Sequence, residues 1–380
     1  MITIFIKESI LMSGKKKVAV IFGGMSFEHE VSRFSAKSVL DNMDKEKYDI
    51  TVIGITKDGR WLKYDGPTAL IASGEWLRLA EESGKASIQL PERASVTATE
   101  IIPKGPSING RFDVVFPILH GINGEDGTVQ GFLELTGIPY VGCGVLSSAL
   151  AMDKGYAKKV LEMEGIPQAA YLIINKKEYE KDSVKTIEMI EQKFGYPCFV
   201  KPCNAGSSVG VTKAHDRNEL IQALEVASRY DRRILVEEFI DGREVECAVL
   251  GNDDPIASTV GEIIPCNEFY DYHAKYSDES TSEIRIPADL PQETIEKVRS
   301  LAVKAFKALD CSGLSRIDFF VRRDTGEVIL NEINTMPGFT KISMYPKLWE
   351  ASGIPYSELI DRLIELAIER YNNNTKALEL

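Results

Sequence analysis

The densest chemistry in the chain lies in LSRIDFFVRRDTGEVILNEINT, residues 314–335. Asp324-Thr325-Gly326 reads as a three-residue hairpin turn. With Thr325 at its centre, Asp318 falls opposite Glu332, and Arg316 opposite Asn334. Side chains two positions apart share one face of a strand, so all four project to the same side. Directly opposed residues sit ~4.5–5.5 Å apart at Cβ. Two carboxylates that close repel unless a proton or a cation joins them. Carboxylate and amide oxygens suit Mg²⁺, which takes a few protein oxygens and shares its remaining positions with substrate phosphates. The competing reading is a solvated strand face on which Arg316 neutralises the acids. A register slip of one residue would also take the set apart.

Three loops look like cradles for charged groups. Gly206-Ser207-Ser208-Val209-Gly210 offers successive backbone N–H groups, two hydroxyls and glycines that allow close approach. Lys201 precedes it on a predicted strand. A phosphate fits such a loop, and so does an ordinary turn. Gly23-Gly24-Met25-Ser26-Phe27-Glu28-His29-Glu30 follows a strand and opens a helix, a place where free N–H groups attract anions. Its spacing is not GxGxxG, and Glu28 would repel a pyrophosphate. An ammonium partner suits Glu28 better, or Glu28 and Glu30 simply complement the helix dipole. His120-Gly121-Ile122-Asn123-Gly124-Glu125-Asp126-Gly127 follows another strand, where open α/β sheets place ligands. His120 there either orients a substrate or caps the strand end.

The elements that position these loops alternate. Strands are expected at 17–22, 49–57 and 113–119, with a helix from Ser32, its capping residue, to Met43. Strands alternating with helices predict a doubly wound sheet. A last short strand at 137–144 precedes a boundary near 143. A helix over 152–165, a strand at 171–174, a helix over 178–194, strands at 197–202, 209–213 and 234–239 then form an α+β unit. A second boundary falls near 241–242. Beyond it come strands at 244–250 and 258–264, an irregular polar stretch at 266–282, a helix over 291–309 and a closing helix over 357–371. The predicted units are an extension over 1–15, domains over 16–142, 143–243 and 244–371, and a frayed tail over 372–380.

The 380 residues are too many for one ordinary core. Acids outnumber bases 57 to 45, a formal charge of −12, which argues against non-specific nucleic-acid binding. Six scattered cysteines without a CxxC pair, and only four histidines, give a poor zinc reading. Buried free thiols in a reducing cytoplasm fit better. No apolar run approaches the ~20 residues of a membrane helix, and no leader cleavage site follows the N-terminal MITIFIKESILM.

Seven segments in order resemble the D-alanine–D-alanine ligases of the ATP-grasp superfamily. They are GGMSFEHEVS at 23–32, HGINGEDGTVQG at 120–131, MDK at 152–154, VKPCNAGSSVGV at 200–211, FYDYHAKY at 269–276, SRID at 315–318 and EINTMPGFTKISMYP at 332–346. The resemblance covers roughly residues 17–371. It implies a three-domain ATP-grasp fold, α/β and α+β, with a Rossmann-like N-terminal domain. It implies a cytoplasmic enzyme of peptidoglycan precursor synthesis, a homodimer, using ATP and two Mg²⁺ ions. Mn²⁺ is the expected substitute, and a monovalent cation is a further expectation.

Roles follow residue by residue. Lys154, Lys201 and Lys275 would meet the phosphates, with Ser208 in the closing loop. Glu237, Glu238 and Ile240 would hold adenine, and Glu244 the ribose hydroxyls. Asp318, Glu332 and Asn334 match the magnesium ligands, the same face that the hairpin geometry singles out. Arg316 and the backbone N–H of Gly338 would stabilise an oxyanion. Glu28, Ser207 and Tyr276 match a triad that ties a lid, 266–282, to the N-terminal domain and places the first ammonium. His120, Ser343 and Met344 would bind substrate, Ser343 through the second carboxylate.

The implied reaction joins two D-alanine molecules through a D-alanyl phosphate. Related enzymes make D-alanyl-D-lactate or D-alanyl-D-serine; Tyr276 and Met344 resemble the D-alanine pattern. His273 departs from it, standing at a lid position that is often acidic. Another ATP-grasp carboxylate–amine ligase, a nicotinamide dehydrogenase and a silent binding protein are the competing readings. The Glu28/Ser207/Tyr276 set, the missing GxGxxG and the intact hairpin face argue against them in turn.

Overall fold

The computed structural model describes residues 14–83, 112–264 and 283–375. Its strands form three sheets. The first holds β1 (Lys16–Gly23), β2 (Tyr48–Ile55), β3 (Trp61–Tyr64) and β4 (Val114–Ile118), in the order β3-β2-β1-β4. β1 runs parallel to both β2 and β4. Its residues from Val18 to Gly23 are all buried, as expected of a strand covered on both faces. The stretch 137–144 adds only one parallel bridge, Tyr140 to Val115, and no strand.

The second sheet holds β5 (Tyr171–Asn175), β6 (Cys198–Pro202), β7 (Thr212–Ala214) and β8 (Arg233–Glu238), in the order β5-β8-β6-β7, all antiparallel. The helices Ser183–Phe194 and Arg217–Tyr230 close its core through Ile187, Ile190, Leu220 and Leu224. The third sheet holds β9 (Gly242–Gly251), β10 (Ile256–Ile264), β11 (Glu283–Arg285), β12 (Gly313–Arg322) and β13 (Val328–Asn334), in the order β11-β10-β9-β12-β13.

Helix Gln292–Ala308 covers one face of the third sheet with a stripe of Val298, Leu301, Ala302 and Ala305. The other face meets the helices Met344–Ala351 and Tyr356–Thr375. Leu359, Ile360, Leu363 and Ile364 of the last helix share one apolar layer with Val18, Val20, Phe22 and Phe116 of the first sheet. Burying each such side chain is worth about 1.5–3 kcal/mol. The first and third sheets are therefore locked together rather than hinged on a linker. Asp361 adds polar ties, taking Tyr48 Oη at 2.7 Å and Lys47 Nζ at 2.6 Å.

Several elements differ from expectation for local reasons. The first helix begins at His29, not Ser32. Ser32 Oγ instead accepts from the Gly23 N–H at 2.7 Å and donates to the Ile118 carbonyl, tying β1 to β4. The helix expected over 152–165 is two helices, Val145–Met152 and Lys154–Met163, because Asp153 leaves helical geometry to cap Tyr156 N–H at 3.1 Å. Asp182 splits the 178–194 helix in the same way, capping Lys185 N–H. β7 starts only at Thr212, since Ser207, Ser208 and Gly210 adopt positive φ. The last helix, Tyr356–Thr375, runs four residues past its expected end at 371. Cys143, Cys198, Cys203, Cys247 and Cys311 are buried free thiols; Cys266 lies outside the described residues. Among the described residues no helix is long and apolar enough to cross a membrane.

Candidate active site

The β12–β13 hairpin pairs Arg316 with Asn334 and Asp318 with Glu332, as the sequence predicts. The route to that register differs. Nearer the turn, Phe319 pairs with Leu330 and Val321 with Val328, one residue out of step. The turn is residues 323–326, bracketed by Arg322 N–H to Glu327 O at 2.9 Å and Gly326 N–H to Arg322 O at 2.9 Å. A bulge at Asn331 supplies the extra residue that restores the register at the site.

Arg316 sits at the centre of this face. Its Nε donates to Asp318 Oδ1 at 2.8 Å and its Nη2 to Asp318 Oδ2 at 2.7 Å. Its Nε also lies 2.9 Å from Glu246 Oε2, across β9. Asn334 Nδ2 donates to Asp318 Oδ2 at 3.0 Å. Burial opposes the guanidinium charge, but Asp318 and Glu246 hold its pKa well above the usual value. Among the described residues no three His, Cys, Asp or Glu side chains gather into a metal cluster. The hairpin offers two carboxylates and one amide, a hard-oxygen set that fits Mg²⁺ completed by phosphate and water.

A cleft opens beside this face, lined by Lys154, Lys158, Lys201, Leu235, Glu237 and Glu332 among others. Lys154 starts its helix, donates to the Ala205 carbonyl at 2.7 Å and stands 3.9 Å from Glu332 Oε2. Glu237 on β8 takes Lys158 Nζ at 2.6 Å on one oxygen and Lys201 Nζ at 2.6 Å on the other. Burial pushes its carboxyl up, but the two lysines win and bring it down to about 2. The same carboxylate raises Lys201 against the opposing effect of burial. Glu238 accepts from Ala170 N–H at 2.8 Å and Arg322 Nη2 at 3.2 Å. Ile240 packs with Ala169 and Ile329, and Glu244 lies on β9 opposite Phe320.

A second cleft is lined by Phe27, Glu28, Ile122, Gly206, Ser207 and Tyr230, with neighbours. Here Ser207 Oγ donates to Glu28 Oε1, joining the 204–210 loop to the start of the first helix. Two glycines make room for that carboxylate. A Cβ at Gly121, where φ is +71°, would stand 2.3 Å from Glu28 Oε2, and one at Gly206 would stand 2.8 Å away. Ser208 flanks Ser207 at φ +58°.

A third set fixes the loop after β13. His120 is buried, and burial lowers its pKa to about 4, so the ring is neutral. Its Nδ1 lies 2.9 Å from the Met336 carbonyl and must donate, leaving Nε2 to accept from Ser35 Oγ at 3.0 Å. Ser35 Oγ in turn accepts from Phe339 N–H at 3.1 Å. Both ring nitrogens are thus engaged within the protein. Glu125 bridges two backbones, taking Gly121 N–H at 2.8 Å and Met336 N–H at 3.0 Å. Burial, then Glu28, pushes its carboxyl up to about 8. Gly338 lies within this anchored loop, and a Cβ there would stand 2.8 Å from Ser343 Oγ. Ser343 precedes helix Met344–Ala351 and accepts from Thr340 N–H at 3.0 Å; Met344 is buried against Gly261.

The predicted residues thus fall into three neighbouring groups. Lys275, Tyr276 and His273 lie outside the described residues. Lys158, Glu246, Glu125 and Ser35 were not predicted. Two had a signal: Lys158 lies four residues after Lys154 on one helix face, and Glu246 shares a strand face with Glu244.

A family model described as "D-ala D-ala ligase N-terminus" matches residues 17–143, and one described as "D-ala D-ala ligase C-terminus" matches residues 160–365. The chain belongs to the D-alanine–D-alanine ligase family. Among its relatives is the D-alanine–D-alanine ligase of Acetivibrio thermocellus, 62% identical over 96% of this chain and 99% of that protein. The solved D-alanine-D-alanine ligase of Coxiella burnetii superposes with a TM-score of 0.81 at 38% identity, covering 96% of this chain and 97% of the other. The VanG D-Ala:D-Ser ligase of Enterococcus faecalis superposes with a TM-score of 0.78 at 40% identity, covering 93% and 99%. The protein is therefore a ligase enzyme with an ATP-grasp fold. The D-alanine–D-alanine ligases account for the relatives at 50–62% identity, so the D-serine and D-lactate alternatives are not favoured.

Proposed function

We propose that this ligase joins two D-alanine molecules in two steps at the junction of the three sheets. The observation that carries the reading is one continuous assembly. The Arg316/Asp318/Glu332/Asn334 face borders the lysine-lined cleft, and Lys154 reaches from that cleft to the loop whose Ser207 holds Glu28.

A carboxylate oxygen of the first D-alanine attacks the γ-phosphorus of ATP, and ADP leaves. The amine of the second attacks the resulting acyl phosphate, and phosphate leaves with the attacking oxygen. Lys154, Lys201 and Ser208, together with Lys275, neutralise and position the phosphates. Glu237, Glu238 and Ile240 line the adenine site, and Glu244 takes the ribose. Asp318, Glu332 and Asn334 hold Mg²⁺, two ions with Mn²⁺ as a substitute, which when bound offsets charge on the transferring group. A monovalent cation completes the expected set. Glu28 pairs with the first ammonium, held in place by Ser207 and, in the proposed lid, Tyr276. Arg316 and the Gly338 N–H face the oxyanion formed by amine attack. His120 holds the loop that presents Gly338. Ser343 receives the second carboxylate beside Met344.

The domain reading, 16–142, 143–243 and 244–371, places this site where the three units meet. The enzyme acts in the cytoplasm, as a homodimer, on small molecules rather than nucleic acid or membrane. Phosphate release from ATP tests the reaction: it should depend on both D-alanine and Mg²⁺. D-Serine should stimulate it far less. Release indifferent to D-alanine would overturn the assignment.

A further inference from the structure

The cluster at Glu237 is unequal, with one carboxylate shared by two ammonium groups. Lys158 comes from helix Lys154–Met163 and Lys201 from β6, each 2.6 Å from a different oxygen. Their surroundings differ. The Lys158 side chain is 4% exposed, and its ammonium lies 5.3 Å from the centroid of the Tyr171 ring. Tyr171 is also the register partner of Glu237 across β5–β8, and its hydroxyl is tied to Glu162 at 2.7 Å. Lys158 is therefore packed between a ring and a carboxylate. Lys201 also has a ring beside it, Phe199, with its centroid 5.6 Å from the ammonium, but its side chain is 16% exposed, with Glu332 and Glu244 within electrostatic reach. It has other acidic partners and an open side.

This difference matters once a nucleotide enters. The proposed function turns Lys201 toward phosphate, which withdraws one of the two cations from Glu237. A buried carboxylate left without a counter-ion takes up a proton. Glu237 would then become a donor at the cleft wall instead of an acceptor. An adenine presents an amino donor at its 6-position; hypoxanthine presents a carbonyl acceptor at the same place. An ionised carboxylate accepts from the first and repels the second, whereas a protonated one tolerates either.

We infer that Lys158 is the permanent counter-ion of Glu237, positioning it as an acceptor so that the cleft selects a 6-amino purine over a 6-oxo purine while Lys201 is released to phosphate. Lys158 does not itself touch the nucleotide. The inference rests on the nucleotide reading of this cleft and adds a residue to it.

Calorimetric titration of ADP and IDP into the full-length enzyme, without D-alanine, tests the inference apart from catalysis. Wild type should bind ADP at least tenfold more tightly than IDP. In Lys158→Met the ADP affinity should fall about tenfold or more and the IDP affinity less than threefold, erasing most of the preference. Lys158→Arg, which keeps a cation, should restore the preference to within threefold of wild type. Glu237→Gln should also erase it with Lys158 intact, because an amide can donate to a 6-oxo group. That variant serves if Lys158→Met does not fold. An unchanged ADP/IDP ratio in folded Lys158→Met, or an equal loss of both ligands, would overturn the role of Lys158 alone. A wild-type enzyme that binds neither ligand would overturn the nucleotide reading of the cleft.

Discussion

Arg316 and Asp318, two residues apart on β12, form a two-pronged ion pair, Nε to Oδ1 at 2.8 Å and Nη2 to Oδ2 at 2.7 Å. The pair fixes the guanidinium plane, and Glu246 Oε2 adds a second carboxylate 2.9 Å from the same Nε. A donor held this rigidly is what transition-state charge stabilisation needs, since no reorganisation is left to occur during reaction. Arg316→Ala should lower kcat by about 10²–10³-fold while ADP affinity changes less than threefold. Steady-state phosphate release beside ADP calorimetry reads both. Equal losses in the two would contradict the oxyanion role.

Glu28 is held by Ser207 and fitted between Gly121 and Gly206. Glu28→Gln keeps the volume and removes the charge that faces the ammonium. The KM for D-alanine should rise about tenfold or more, the size of one charge-assisted hydrogen bond, with ADP affinity unchanged. Ser207→Ala should move the same parameter by less. A change confined to nucleotide binding would show that the second cleft does not hold the amino acid.

Gly338 is restricted by Ser343, whose Oγ would lie 2.8 Å from an added Cβ. Gly338→Ala should leave the melting temperature within a few degrees and reduce kcat at least tenfold, by shifting the loop that presents its N–H. Circular dichroism and turnover measured on one preparation separate the two effects. Wild-type kcat in the folded variant would remove Gly338 from the oxyanion site.

His120 gives a pH signature. Its folded pKa of about 4 lies below the ordinary value near 6.5, so the unfolded chain binds more protons between the two. Its contribution is fully present above about pH 6.5 and is lost as pH falls toward 4, up to about 3 kcal/mol. His120→Gln should be less stable than wild type at pH 7, and its melting temperature should fall less between pH 7 and pH 4.5. Parallel curves for the two proteins would contradict the buried neutral ring.

Much of the site was legible in the sequence because strand alternation is local. Arg316, Asp318, Glu332 and Asn334 lie two apart, and any register that pairs one facing couple pairs the other. The expected register was correct although the turn was misread, since a four-residue turn and the Asn331 bulge cancel. Nothing in the hairpin's own sequence announces that bulge. Lys158, Glu125 and Ser35 were less legible for a related reason. Their partners Glu237, Met336 and Phe339 lie 79, 211 and 304 residues away, so only the assembled fold joins them. Ser32 shows the converse error: its type suits a helix cap, but a tertiary bond to Ile118 outweighed the local preference.

The most direct test follows one oxygen atom. D-Alanine labelled with ¹⁸O in its carboxylate is incubated with ATP, Mg²⁺ and the enzyme, and the released phosphate is analysed by mass spectrometry. Attack of the carboxylate on the γ-phosphorus, followed by amine attack at carbon, carries one labelled oxygen into phosphate for each dipeptide formed. That one-to-one transfer is the expected result. Dipeptide formed with unlabelled phosphate would contradict the acyl phosphate, and with it the mechanism assigned to this site.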